Sequence, residues 1–269
     1  ALYERADETW NEQDQRIKET AVSELENEMQ NVLSQYGLNW KKNGIGASDS
    51  WGMPDSVSEE RRKLINHYGA ELILIHDDNN IGECIDECLQ TAMRMAEEDP
   101  NVFVPQQFIN PANPQVHRSH TGQEILEQVD GPIHGFCSGI GTGGTITGIG
   151  ETLKAANPDM EIWAVEPEHA AILSGGSIGS HLQMGIGDGV IPDILNQNIY
   201  QDIYIVKDEE AIRTAQELAS KEGIMCGISS GTNVAAAIQL AMKLGEGKTV
   251  VTVLPDTAER YFSTPLFEE

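Results

Sequence analysis

Apolar residues recur at helical spacing through the first 36 positions, where Ile17, Val22, Leu25, Met29, Val32 and Leu33 share a face among Glu and Gln. That period predicts a helix, which Gly37 ends. Residues 41–54 read as a loop, since Gly44, Gly46 and Gly52 lie among polar side chains. From Asp55 onward, helical periods alternate with short apolar runs. Ser56-Val57-Ser58-Glu59 predicts a capped start for a helix that reaches Tyr68 and stops at Gly69. Residues 72–75 read as a strand, 81–98 as a long helix before Pro100, 102–104 as a strand and 114–129 as a helix.

The second half is more regular. Residues 133–138, 162–165, 203–206 and 250–254 are β-like, and helical periods at 144–156, 209–221 and 231–244 separate them. Strands that alternate with helices pair in parallel, with helices covering both faces of the sheet. The predicted fold class is α/β.

Composition narrows the partners. The chain has 269 residues, 39% of them hydrophobic, enough for one large domain or two smaller ones. Its 43 Asp+Glu against 17 Lys+Arg give a formal charge of −26, which repels nucleic acid and anionic lipid. That charge suits a salt-rich cytoplasm or simply an acidic soluble protein. No apolar run approaches the roughly 20 residues of a membrane span, and the polar, acidic start lacks a secretory pattern. Cys84, Cys88, Cys137 and Cys226 are too scattered for a disulfide framework. Cys84 and Cys88 have no second Cys/His pair to complete a metal site and read as packing residues. The expectation is a reduced, cytoplasmic chain with no metal, nucleic-acid or membrane partner.

The sharpest local chemistry is Gly139-Ile140-Gly141-Thr142-Gly143-Gly144-Thr145, placed after a strand and opening a helix. Glycines let the backbone approach an anion, and the helix N-terminus offers unpaired N–H groups and a favourable dipole. Two phosphate ligands fit this local sequence. Gly139, Gly141 and Gly144 satisfy G-x-G-x-x-G, and Glu166 ends the next strand where an acid would hold a ribose, so a dinucleotide site is one reading. The rest of the chain supports another.

Met53-Pro54-Asp55-Ser56 with Glu60-Arg61-Arg62-Lys63-Leu64 opens a series of motifs, followed by Pro105-Gln106-Gln107-Phe108 and Asn110-Pro111-Ala112-Asn113-Pro114. After the glycine loop come Gly185-Ile186-Gly187-Asp188-Gly189, Gly227-Ile228-Ser229-Ser230-Gly231, and Leu254-Pro255-Asp256 with Glu259-Arg260-Tyr261. In this order they resemble the cysteine synthase (O-acetylserine sulfhydrylase) and cystathionine β-synthase family of fold-type II pyridoxal-phosphate enzymes, over about residues 53–269. The resemblance implies two parallel-sheet three-layer domains: a smaller one at 43–130, incomplete relative to the family, and a larger cofactor-binding one at 131–269, after an acidic helical segment at 1–42.

It also implies roles. Gly141, Thr142, Gly143, Gly144 and Thr145 would hold the phosphate of pyridoxal 5′-phosphate, and Ser229 would meet its pyridine nitrogen. Gln107 would contact the substrate carboxylate, with Phe108 beside it at the substrate site, and Gly185, Ile186 and Gly187 would line the mouth of the site. His181 matches a family histidine, whereas Leu182 and Met184 depart from the usual Lys and Gln. His67, His117, His120 and His169 carry no motif and read as surface or helix-face residues. The implied partners are a small amino-acid substrate, a second copy of the chain in a homodimer, and the C-terminal tail of serine acetyltransferase.

The family's Lys-Asp-Arg motif, whose lysine holds the cofactor aldehyde, and its T-S-G-N-T loop do not appear as such. Asp14-Gln15-Arg16-Ile17 echoes the first with Asp14 in the lysine's place, and Asn43-Gly44-Ile45-Gly46 echoes the second, which would give Asn43 a cofactor contact. A carboxylate cannot replace the amine. No catalytic residue is therefore assigned. Three readings stand: cysteine synthase-type β-replacement, a noncatalytic or truncated relative lacking that lysine, and a nicotinamide-dependent oxidoreductase.

Overall fold

The computed structural model describes residues 50–77 and 80–268. The predicted helix at 1–36 and the Asn43 echo lie outside these residues. Strand β1 (Ser50–Pro54) pairs in parallel with β2 (Glu71–Ile75), Ser50 opposite Glu71 and Pro54 opposite Ile75. The end of the expected loop is thus a strand. Gly52 is paired in the ladder opposite Ile73, and a Cβ there would make only ordinary contact, 3.6 Å, with the Cys88 carbonyl of the covering helix.

Helix α1 (Glu59–His67) has Ser58 at its N-cap position without a side-chain cap bond. Ser56, the expected cap, instead donates its hydroxyl to Asp77 Oδ2 at 2.7 Å. Glu59 and Glu60 occupy the first turn, where the helix dipole favours them. Helix α2 (Ile81–Glu98) is capped by Asn80, whose side chain accepts the Glu83 N–H, and it buries Gly82, Cys84 and Cys88. Residues 102–104 form no strand. Asp99 folds the chain by accepting the Asn101 N–H, and the following Pro105 has no N–H to offer a ladder.

The larger sheet holds β3 (Gly135–Gly139), β4 (Glu161–Pro167), β5 (Asp202–Val206) and β6 (Val250–Thr252), all parallel, in the order β5-β4-β3-β6. Alternation along the strands divides the core. Cys137, Trp163 and Val165 join one cluster, and Phe136, Ile162 and Ala164 the other. Helices α6 (Asp208–Glu217) and α7 (Ile228–Leu244) feed the first cluster, and α5 (Gly144–Ala156) the second. Successive strands run outward from β3 to β5, and the chain then returns to place β6 on the other side of β3. This reversal makes a crevice at the carboxyl ends of β3 and β6, where open α/β sheets bind ligands.

Two short helices, α3 (Ala112–Val116) and α4 (Gly122–Gln128), join through a π-helical turn at His117–Thr121 without leaving helical backbone angles. This rod lies against α5 along a seam of small residues. A Cβ on Gly148 would overlap the Pro114 carbonyl and stand 2.6 Å from His117 Cβ, and one on Gly122 would stand 2.7 Å from Thr152 Cβ. Gly148→Ala should therefore destabilise the fold by on the order of 2–3 kcal/mol, because backbone rather than a movable side chain blocks the methyl. A urea midpoint equal to that of the wild type would contradict the seam.

The small sheet is fastened to the end of the chain. Arg61 of α1 donates to Asp256 Oδ2 at 3.3 Å and to the Tyr261 hydroxyl at 3.2 Å. Fully buried Tyr261 donates to Asp256 Oδ2 at 2.6 Å, and Ser263 donates to Glu60 Oε2 at 2.8 Å.

Candidate cofactor site

The chain leaves β3 at Gly139 and enters α5 at Gly144. Gly143 is the N-cap, with φ 79°, a left-handed backbone that a side chain disfavours, and a Cβ there would stand 2.8 Å from Leu195 Cβ. The first-turn N–H groups of α5 lack carbonyl partners within the helix, so they face the loop's mouth as anion donors.

Asn233 of α7 anchors the root of this loop. Its Oδ1 accepts the Gly139 N–H at 2.7 Å, and its Nδ2 donates to the Val253 carbonyl at 2.8 Å. Ser229 stands one turn earlier on the same face of α7. It is 3% exposed, and its hydroxyl has no hydrogen bond with any described residue. The expected start of this helix at 231 moves to Ile228, which puts Ser229 in the first turn rather than before it.

The Gly185–Gly189 segment runs beside the loop. The Gly187 N–H donates to the Ile140 carbonyl at 2.8 Å, Ile186 packs on Gly139, and the Gly185 carbonyl lies 2.5 Å from where a Cβ on Gly141 would be. His181 fixes the far side. Its Nε2 faces the Gly187 carbonyl at 3.2 Å, which can only accept, and its Nδ1 accepts the Gln183 N–H at 3.1 Å. Both bonds are satisfied by one neutral tautomer, and burial lowers the imidazole's pKa to match. Buried Gln183 holds the segment to the sheet, donating to Val206 O and Asp208 Oδ1 and accepting from Thr232.

Asp188 sits in the same segment, its Oδ2 3.5 Å from the Cβ position of Gly141. Burial pushes its carboxyl from the ordinary 3.8 up to about 6. Folding thus favours the protonated acid: this contribution is complete below about pH 4 and is lost as pH rises through about 6. Asp188→Asn should leave stability at pH 4 nearly unchanged and raise it at pH 8 by on the order of 3 kcal/mol. Thermal melts at the two pH values check this, and an equal gain at both would refute it.

Gln107 and the loop meet on one side chain. Asn113 Nδ2 donates both to the Gln107 carbonyl and to Thr142 Oγ1, each at 2.9 Å. Phe108 is tied through its carbonyl, which accepts the Ile194 N–H at 3.4 Å. His117, read from sequence as a helix-face residue, lies against the loop: its Nε2 is 3.3 Å from Thr145 Oγ1 and its Nδ1 is 3.0 Å from Thr121 Oγ1. The signal that could have found it is the Gly144/Gly148 spacing, which marks the helix face on which another helix rests.

Glu166, the acid of the dinucleotide reading, is already occupied. Its carboxylate accepts the Leu173 N–H at 2.7 Å, the Ser174 N–H at 3.1 Å and the Ser174 hydroxyl at 2.9 Å, and it is 3% exposed. It shapes the turn after β4 and is buried there rather than presented to a ribose.

The residues fit a flat phosphorylated pyridine: a glycine cradle with helix N–H donors for the phosphate, and the Ser229 hydroxyl, which no described residue engages, one turn from the loop's anchor for the ring nitrogen. The described lysines lie elsewhere. Lys63 pairs with Glu59, Lys207 with Glu168, Lys221 with Glu217 and Lys243 with Glu161, Lys154 is in the last turn of α5, and Lys248 is exposed.

Comparison with known proteins identifies the class. The pyridoxal-phosphate dependent enzyme family matches residues 51–256, and the chain belongs to that family, with the fold-type II architecture. Within it the chain is similar to cysteine synthases and to a cystathionine β-synthase. Cysteine synthase from Staphylococcus aureus (strain Mu50 / ATCC 700699) is 48% identical over 216 residues, 80% of this chain and 68% of that protein. The solved cysteine synthase of Entamoeba histolytica superposes with TM-score 0.75 at 37% identity, covering 84% of this chain and 66% of that one. An O-acetylserine-dependent cystathionine β-synthase from Helicobacter pylori gives TM-score 0.76 at 32% identity, covering 81% and 70%. The expected resemblance and its cofactor, pyridoxal 5′-phosphate, are borne out.

Proposed function

We propose that this chain carries out cysteine synthase-type β-replacement, converting O-acetyl-L-serine and sulfide to L-cysteine and acetate. The observation that carries the reading is the joint geometry of the Gly141–Thr145 cradle and the unpaired Ser229 hydroxyl, both fixed by α7. The cofactor supplies an electron sink for loss of the β-substituent. Ser229 offers the ring nitrogen a neutral hydroxyl, which does not force its protonation as an aspartate would and so keeps that sink moderate. Gln107 receives the substrate carboxylate, Phe108 lies beside it, and Gly185, Ile186 and Gly187 form the wall of the mouth. A homodimer, and capture of a serine acetyltransferase C-terminal tail at that mouth, complete the proposal.

A second reading has its own observation. No lysine among the described residues lies at this site, so the scaffold could hold cofactor without turning over substrate. Purified chain supplied with pyridoxal 5′-phosphate, O-acetylserine and sulfide is expected to accumulate L-cysteine in proportion to bound cofactor. Tight cofactor binding with no cysteine formed would favour the second reading.

A further inference from the structure

Asn113 stands behind the phosphate loop, and chemistry fixes which way its amide faces. The Gln107 carbonyl can only accept, so the atom 2.9 Å from it is the NH2 group, and Oδ1 is the atom turned to Gly144. A Cβ on Gly144 would overlap that oxygen, so glycine is what admits the amide. The approach to Asn113 is itself built. Gln106 adopts φ 53°, its carbonyl accepts the N–H groups of Ile109 and Asn110, and the Ala112 N–H donates to Asn110 Oδ1 at 2.9 Å.

The consequence falls on Thr142. Its Oγ1 accepts from Asn113 Nδ2 at 2.9 Å and from the Gly144 N–H at 3.4 Å. A hydroxyl has two lone pairs and one proton. With both lone pairs engaged, only the proton is left to give, and no described residue accepts it.

We propose that Asn113 is a positioning residue that makes Thr142 an obligate donor toward the phosphate while fixing the backbone of Gln107. One side chain thereby ties the phosphate end of the site to the substrate-carboxylate end. The inference rests on the phosphate-loop reading of Gly141–Thr145 and the substrate reading of Gln107.

The test compares affinities for pyridoxal 5′-phosphate and pyridoxal, measured by fluorescence titration of the full chain. Their ratio isolates the phosphate contacts, and a merely structural defect would weaken both ligands alike. Asn113→Ala should lower the ratio about 10-fold. Asn113→Asp should lower it at least about 100-fold, because a carboxylate accepts the Thr142 proton and adds like charge. In a Thr142→Val background, Asn113→Ala should change the ratio less than about twofold, as expected of residues acting as one unit. On the other arm, amide hydrogen exchange over residues 107–110 should quicken in Asn113→Ala but not in Thr142→Val. Folded Asn113 variants with the wild-type ratio, or Asp no weaker than Ala, would overturn the proposal. Should neither variant fold, Thr142→Ser and Thr142→Val read the same proton: Ser should stay within about threefold of wild type and Val should fall at least about 10-fold. Equal ratios there overturn it too. A wild-type chain with no preference for the phosphorylated ligand removes the phosphate-loop reading and this proposal together, whereas a preference that ignores Asn113 removes this proposal alone.

Discussion

Gly143→Leu is expected to abolish binding of pyridoxal 5′-phosphate, weakening it at least about 100-fold. Three costs combine. A left-handed backbone angle of 79° disfavours any side chain by roughly 1–2 kcal/mol. A Cβ would stand 2.8 Å from Leu195 Cβ, so the loop must shift to admit the leucine. The shift turns away N–H donors whose bonds to a charged acceptor are each worth about 1.5–3 kcal/mol. Gly143→Ala should fall between, paying the conformational cost with less displacement. Fluorescence titration measures affinity, and a parallel thermal melt shows that the protein remains folded. A folded Gly143→Leu protein with undiminished affinity would sink the assignment of this loop to the phosphate.

The second expectation concerns the amine. With cofactor present, borohydride reduction followed by peptide mass mapping should place no specific covalent label on any of the six described lysines. Four of those six are held in ion pairs with Glu59, Glu168, Glu217 and Glu161, and Lys154 is at the opposite end of α5 from the loop. Were one other lysine labelled specifically, changing it to Ala should lower cysteine formation by about 10³-fold, the scale of a lost nucleophile and proton-transfer group. Label scattered over surface lysines, with no cysteine formed, would instead leave a cofactor-holding protein without turnover.

Much of this was legible in the chain itself. Strand–helix alternation after residue 130 gave the parallel sheet because strands buried on both faces read as short apolar runs, and the glycine loop announced itself by position between strand and helix. The misses share a cause: local pattern does not show pairing partners. Residues 50–54 look like loop because Gly52 is a poor strand former, yet the ladder to β2 holds them extended. Residues 102–104 look like strand, but they form no ladder with the described residues. Asn113 stood in the Asn110–Pro114 motif without a role and His117 in no motif, because their importance comes from a crossing of two helices, at which only the Gly144/Gly148 stripe hinted. Glu166 matched a dinucleotide pattern in spacing alone, and the turn at Leu173–Ser174 had already claimed its oxygens.

The fastening of α1 to the chain's end has a consequence for synthesis on the ribosome. Arg61 waits for Asp256, 195 residues later, and Glu60 for Ser263, 203 residues later. At about 5–20 residues per second, the gap lasts roughly 10–40 s. During that time the nascent β1-α1-β2 unit has an unanswered arginine, and the tyrosine that will fill the space beneath it has not been made. A holding chaperone that bound this stretch would have reason to keep it until residues 256–263 are made.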